Sequence, residues 1–148
     1  MAALKYWIWL SELAGVNQVG KLKLLQHFGS PEDVYYAAPD DYGQVEGIKR
    51  EQIDILQDKS LQKAEYILQN CAKENAFLIT MDDALYPLRL KDIYDPPILL
   101  YGKGKMPIFD DEVAISLLEI FYYRFFIYTS IQVPVNLPSE YRHPFRDS

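Results

Sequence analysis

Glycine runs out early in this chain. All seven glycines lie at or before Gly104, so nothing beyond that point can build the glycine-rich turn with which a strand-to-helix junction cradles a phosphate. Cysteine occurs once, as Cys71, which excludes an internal disulfide framework and any multi-cysteine metal site. Its helical spacing from Leu68 favours a small buried side chain. The two histidines, His27 and His143, have no ligand spacing around them, so no metal is assigned. A basic surplus is missing too: 15 Lys and Arg face 21 Asp and Glu, for a net charge of −6. That balance argues against a generic polyanion binder and leaves room only for a local basic patch. No Ser/His/Asp or Cys/His arrangement stands out, so no catalytic residue and no cofactor is assigned. The first residues, MAALKYWIWLSELAG, are interrupted by Glu12 and lack a small-residue cleavage pattern, which makes a cytoplasmic location the default expectation.

What is present is globular. The 148 residues are 49% hydrophobic and 24% charged, with Tyr and Phe crowding the last third, room for one small helical domain and part of a second. Leu4, Trp7, Ile8, Leu10 and Ala14 recur at helical spacing up to Gly15, and Val19, Leu22, Leu25 and Phe28 mark a second helix that Gly29 stops. Ser30, Pro31, Glu32 and Asp33 then combine an N-cap, a proline at the first helical position and acidic residues in the first turn, which predicts a short third helix through Ala38. KREQIDILQ and SLQKAEYILQNCAKEN add two more, with a bend near Asp58 to Ser60. Five helices in the first 75 residues make an all-helical unit. Phe77 to Thr80 and Ile98 to Tyr101 read as strands, the second ending at Gly102, with Tyr86 to Asp92 helical between them and Val113 to Ile115 as a third strand.

LAGVNQVGKLKLLQHFG sets Gly15 and Gly20 around the junction of two helices. Such a hairpin can offer unpaired N–H groups and the positive end of a helix dipole to a nucleic-acid phosphate, with Lys21 and Lys23 beside it. Asn17 stands where the commoner binding form has another glycine, so simple helix packing is the favoured alternative. YGQVEGIKREQI reads as a degenerate second copy turning at Gly47. Asp82 with Asp83, and Asp110 to Glu112, are acidic turns of the kind that usually cap helices in solvent.

The most specific stretch is ALYPLRLKDIYDPPILLYGKG, residues 84–104. Physically it is a proline-started helix, a turn stiffened by Asp95-Pro96-Pro97, and a strand. Its Tyr86, Pro87, Leu90, Pro96, Pro97, Leu100, Tyr101 and Gly102 closely resemble the signature of the bacterial DNA-processing protein A family, also called Smf. The helical front is similar to that family's sterile-alpha-motif-like (SAM-like) or helix-hairpin-helix leader, and the resemblance extends to about Ile115.

The resemblance implies an α+β or incomplete α/β fold. Residues 1–75 would form the helical SAM-like domain, 76–115 the beginning of a Rossmann-like domain, and 116–148 a non-homologous aromatic tail. It also implies a non-enzymatic role, with single-stranded DNA as ligand and a recombinase as partner in natural transformation. In the family, a strand similar to DEVAI leads into Val-Gly-Ser/Thr-Arg, a loop of the DNA pocket. Here Ser116, Leu117, Leu118 and Glu119 stand in those places, as though the chain were truncated or frameshifted after Ile115. Weak DNA binding is therefore expected, with Lys21, Lys23, Lys103 and Lys105 as the candidate contacts. A protein-interaction module that uses the acidic helical leader to dock a partner, without DNA binding, is the alternative, and a nucleotide-binding enzyme ranks last because no glycine-rich loop follows a strand. The run from Val113 to Ile131 approaches the length of a membrane span, but Glu119 and Arg124 near its middle each cost about 2.5 to 3.5 kcal/mol on insertion scales. A strand is expected there instead, and with it self-association through an exposed sheet edge.

Overall fold

The computed structural model describes residues 2–103 and 126–129. Six helices fill the first half: α1 (Ala2–Glu12), α2 (Gln18–Phe28), α3 (Pro31–Tyr36), α4 (Pro39–Tyr42), α5 (Arg50–Leu56) and α6 (Gln62–Lys73). A sheet follows, made of β1 (Ala76–Thr80), β2 (Leu99–Lys103) and β3 (Phe126–Thr129), with the one-turn helix α7 (Leu88–Lys91) between β1 and β2. Helices first and an antiparallel sheet second is an α+β arrangement.

The centre is α1. Tyr6, Trp7, Ile8, Trp9 and Leu10 are all buried, and a helix apolar on every side must be covered on every side. It packs against α3, α6 and β2. The α6 stripe of Ala64, Ile67 and Cys71 is buried, and burial pushes the Cys71 thiol up to about 11, which makes it inert at neutral pH.

Capping explains the boundaries. Asn17 accepts from the Gly20 N–H at 2.7 Å and so starts α2. Gly29 ends α2 with φ +94° and donates to the Leu25 carbonyl. Ser30 accepts from the Asp33 N–H at 3.1 Å and starts α3. The turn expected after Pro39 closes into α4, one helix more than the sequence pattern predicts. Pro39 occupies its first position and the Asp41 carboxylate accepts from the Ala38 N–H. The bend expected near Asp58 to Ser60 is a full break between α5 and α6.

β1 and β2 pair antiparallel, with Leu78 opposite Tyr101 and Phe77 opposite Gly102. β2 also pairs antiparallel with β3, Tyr101 opposite Tyr128. Alternation along the strands gives the sheet two covered faces. Leu99 and Tyr101 join the core of Trp7, Leu10 and Ile67, whereas Leu100 packs with Ile79 and Tyr86 on the opposite face. The apolar core thus continues across the junction at residue 75. Gly102 does not end β2 as the sequence pattern predicts, and the strand runs on to Lys103. The helix expected over Tyr86 to Asp92 shrinks to α7, because Tyr86 is anchored elsewhere. Val113 to Ile115, Ser116 to Glu119, Asp110 to Glu112, Lys105 and His143 lie outside the described residues.

Candidate functional site

The two hairpins are built alike and grip each other. Gly15 and Gly47 both turn the chain with positive φ, +90° and +87°. A Cβ on Gly15 would come within 2.5 Å of Ile55 Cδ1, and one on Gly47 within 2.8 Å of Lys23 Nζ. Gly47, Lys49, Ile55 and Leu56 stand at the same sequence offset from Gly15, Asn17, Lys23 and Leu24. Each hairpin's helix therefore covers the other's turn at the equivalent position. Gln52 Nε2 adds a bond to the Gly15 carbonyl at 3.5 Å, and Leu24 and Leu56 are both fully buried.

This pairing decides what the candidate cations do. Lys21 is only 5% exposed, and its ammonium donates to the Ser11 carbonyl at 2.6 Å. Burial pulls it down to about 8, partly offset by the neighbouring Glu12 carboxylate. Lys21 is thus an internal tether between α2 and the end of α1, and this burial leaves its ammonium poorly placed for a DNA contact. Lys23 is half-buried over Gly47, with Lys49 and Arg50 exposed just beyond that turn. The Lys23 ammonium thus lies against the Gly47 turn that leads into Lys49 and Arg50. Asn17 already occupies the Gly20 N–H, so the first turn has one donor fewer for a phosphate. Lys103 ends β2, opposite Ala76 on one side and Phe126 on the other.

A second polar group lies where α1 meets α6 and the sheet. Lys63 Nζ is 2.9 Å from Glu12 Oε2, whose side chain is 4% exposed. Tyr101 donates to Glu12 Oε1 at 3.3 Å, and burial followed by the nearby Glu12 charge holds its phenol well above the ordinary value. Among the described residues, no group of three or more His, Cys, Asp or Glu side chains is placed to hold a metal ion.

The signature residues are an internal frame. Tyr86, Pro87, Pro96, Pro97, Leu100, Tyr101 and Gly102 are buried and Leu90 is half-buried. Tyr86 donates to the Pro97 carbonyl at 2.6 Å, closing the excursion between β1 and β2 at its base, and burial drives its phenol well up. Asp83 holds the start of that excursion by accepting from the Thr80 N–H and hydroxyl. Gly102 has no side chain because the Phe77 ring lies across it; a Cβ there would collide with the ring. Over 103 residues the chain is 35% identical to "Protein Smf" of Synechocystis sp.. The chain belongs to the DNA-processing protein A (Smf) family. That match covers 68% of this chain and 26% of the relative, so the chain spans about a quarter of that Smf protein's length. No family model and no solved structure matches. In Smf terms, the eight signature positions here all serve packing: a tyrosine strut, prolines that hold the turn, and a glycine under a ring.

Proposed function

We propose that this chain carries the SAM-like helical leader and the opening of the Rossmann-like domain of an Smf protein that binds single-stranded DNA in natural transformation and passes it to a recombinase. What carries the reading is the 35% identity to an Smf protein over 103 residues, together with the signature frame from Tyr86 to Gly102. Binding is weak in this form, because Ser116, Leu117, Leu118 and Glu119 stand where the family's Gly-Ser/Thr-Arg loop belongs. A carboxylate in place of an arginine reverses the sign of the local field on a phosphate.

Of the candidate contacts, Lys23, Lys103 and Lys105 remain in the proposal. Fluorescence anisotropy with a labelled single-stranded oligonucleotide tests it. The expected affinity lies in the roughly 10⁻⁴ to 10⁻⁶ M range of non-specific contacts at physiological salt. Nanomolar binding would overturn the impairment, and no binding even at low salt would overturn DNA as the ligand.

A protein-interaction role is the second reading, and one observation favours it. Leu85, Leu88, Ile93 and Tyr94 are large, apolar and exposed, Tyr94 to 85%, and all lie on the excursion between β1 and β2. Saturable capture by a purified recombinase without DNA, lost in Leu88→Ser and Tyr94→Ser, would support that role over DNA binding.

A further inference from the structure

Lys59, in the break between α5 and α6, sits among aromatic rings. Its ammonium lies 5.0 Å from the ring centroid of Trp9, 5.2 Å from that of Tyr35 and 5.1 Å from that of Tyr42. It also donates to the Tyr42 hydroxyl at 2.6 Å. Among the described residues no carboxylate forms an ion pair with it, and the neighbouring Asp58 carboxylate accepts instead from the Ser60 N–H. The charge is therefore held by the ring quadrupoles of Trp9 and Tyr35 and by the Tyr42 phenol oxygen, which is a weaker hold on a proton than a carboxylate gives.

The same rings hold the backbone. Trp9 Nε1 donates to the Asp58 carbonyl at 2.9 Å and the Tyr35 hydroxyl to the Lys59 carbonyl at 2.7 Å. Tyr42 in turn donates to the Val34 carbonyl. One short segment is thus tied to α1, α3 and α4 through three aromatic residues, with the Lys59 ammonium at their centre. Trp9 and Tyr42 are buried, whereas Lys59 is only half-buried.

We propose that Lys59 is a site of Nε-acylation by small activated acyl donors of the acyl-phosphate or thioester class, and that acylation releases the α5–α6 segment from its aromatic seat. The neutral amine attacks the acyl carbonyl carbon, forming a C–N bond. The C–O or C–S bond breaks as phosphate or thiolate leaves with the electron pair, and the amine proton passes to water. The product is an amide, with no change of oxidation state. Burial lowers Lys59 to about 8, so near that pH a larger share of its molecules carries a free lone pair than of a solvated lysine titrating at about 10.4. The amide carries no charge for the rings to hold and adds bulk beside Tyr42.

The test treats the full chain with acetyl phosphate near pH 8 and reads site occupancy by peptide mass spectrometry. Lys59 is expected to acetylate about fivefold or more faster than the exposed Lys49; equal or slower labelling overturns the site. Amide hydrogen exchange over residues 57–61 on the same acetylated chain is expected to quicken about tenfold, and unchanged exchange overturns the release. Lys59→Arg keeps a cation on the rings and offers no acylated lysine there. Treated with the same donor it is expected to keep its protection, and loosening equal to that of the native chain would place the effect at another lysine.

Discussion

The Ile55 side chain of α5 stands where a Cβ on Gly15 would be, its Cδ1 2.5 Å from that position. The contact joins the second hairpin to the turn of the first, and Gly15 also needs its positive φ of +90°. Gly15→Ala therefore meets both backbone strain and overpacking, and is expected to cost about 2 to 4 kcal/mol. Gly29→Ala shares the positive φ but meets open space, so only the strain of about 1 to 2 kcal/mol remains. Urea unfolding of the two variants checks the difference.

Gly102 and Phe77 form one packing unit across β1 and β2. Gly102→Ala alone is expected to destabilise by about 2 kcal/mol or more, because the ring must leave its rotamer or the strands must part. Phe77→Leu removes the collision. The double variant is therefore expected to be more stable than the sum of the single effects implies, with a coupling of about 1 kcal/mol or more in a double-mutant cycle.

Glu12 is the buried end of its ion pair and Lys63 the accessible end. Removing Lys63 leaves a carboxylate that keeps its Tyr101 bond, whereas removing Glu12 leaves the buried Lys21 and the partly exposed Lys63 without their shared counter-charge. Glu12→Ala is expected to cost about 3 to 5 kcal/mol and Lys63→Ala about 1 to 2. Equal losses in chemical denaturation would show that the pair, and not the buried cluster, sets the energy.

Stability should pass through a maximum on the alkaline side. Burial lowers Lys21 and Lys59 to about 8, below the ordinary lysine value, so above pH 8 the unfolded chain binds more protons than the folded one and stability rises with pH. Cys71 and Tyr42 are pushed the other way, to about 11 and about 12, and Tyr86 and Tyr101 are raised as well. From about pH 9 to 10 upward the unfolded state loses those protons first and stability falls. Guanidinium midpoints at pH 7.5, 9 and 11 should show a rise and then a fall, and a Lys21→Met variant should lose part of the rise.

The helical leader and the first two strands share a core, since Ile98, Leu99 and Tyr101 pack with Trp7, Leu10 and Ile67. A fragment ending at Asn75 is expected to keep helical circular dichroism but melt at lower temperature, and with a broader transition, than one ending at Lys103. Coincident melting curves would show that the leader carries its stability alone.

Much of the fold is legible in the sequence wherever the signal is local. Caps at Asn17 and Ser30, stops at Gly15 and Gly29, and the periodic stripes of α2 and α6 depend on a few neighbouring residues, so the sequence located those helices to within a few positions. The signature from Tyr86 to Gly102 likewise named the family before any distance was known. What only the tertiary structure decided depends on residues far apart in the chain. Lys21 looks like a surface cation on a hairpin, and it is buried because α1 delivers the Ser11 carbonyl to it. Gly102 reads as a strand end, and β2 continues because Phe77 of another strand supplies the missing side-chain bulk. The reciprocal cover of Gly15 by Ile55 and Gly47 by Lys23 required two hairpins to meet face to face. Burial and cross-element contact set the role of each of these side chains, and neither is written in the spacing of residues along a single segment.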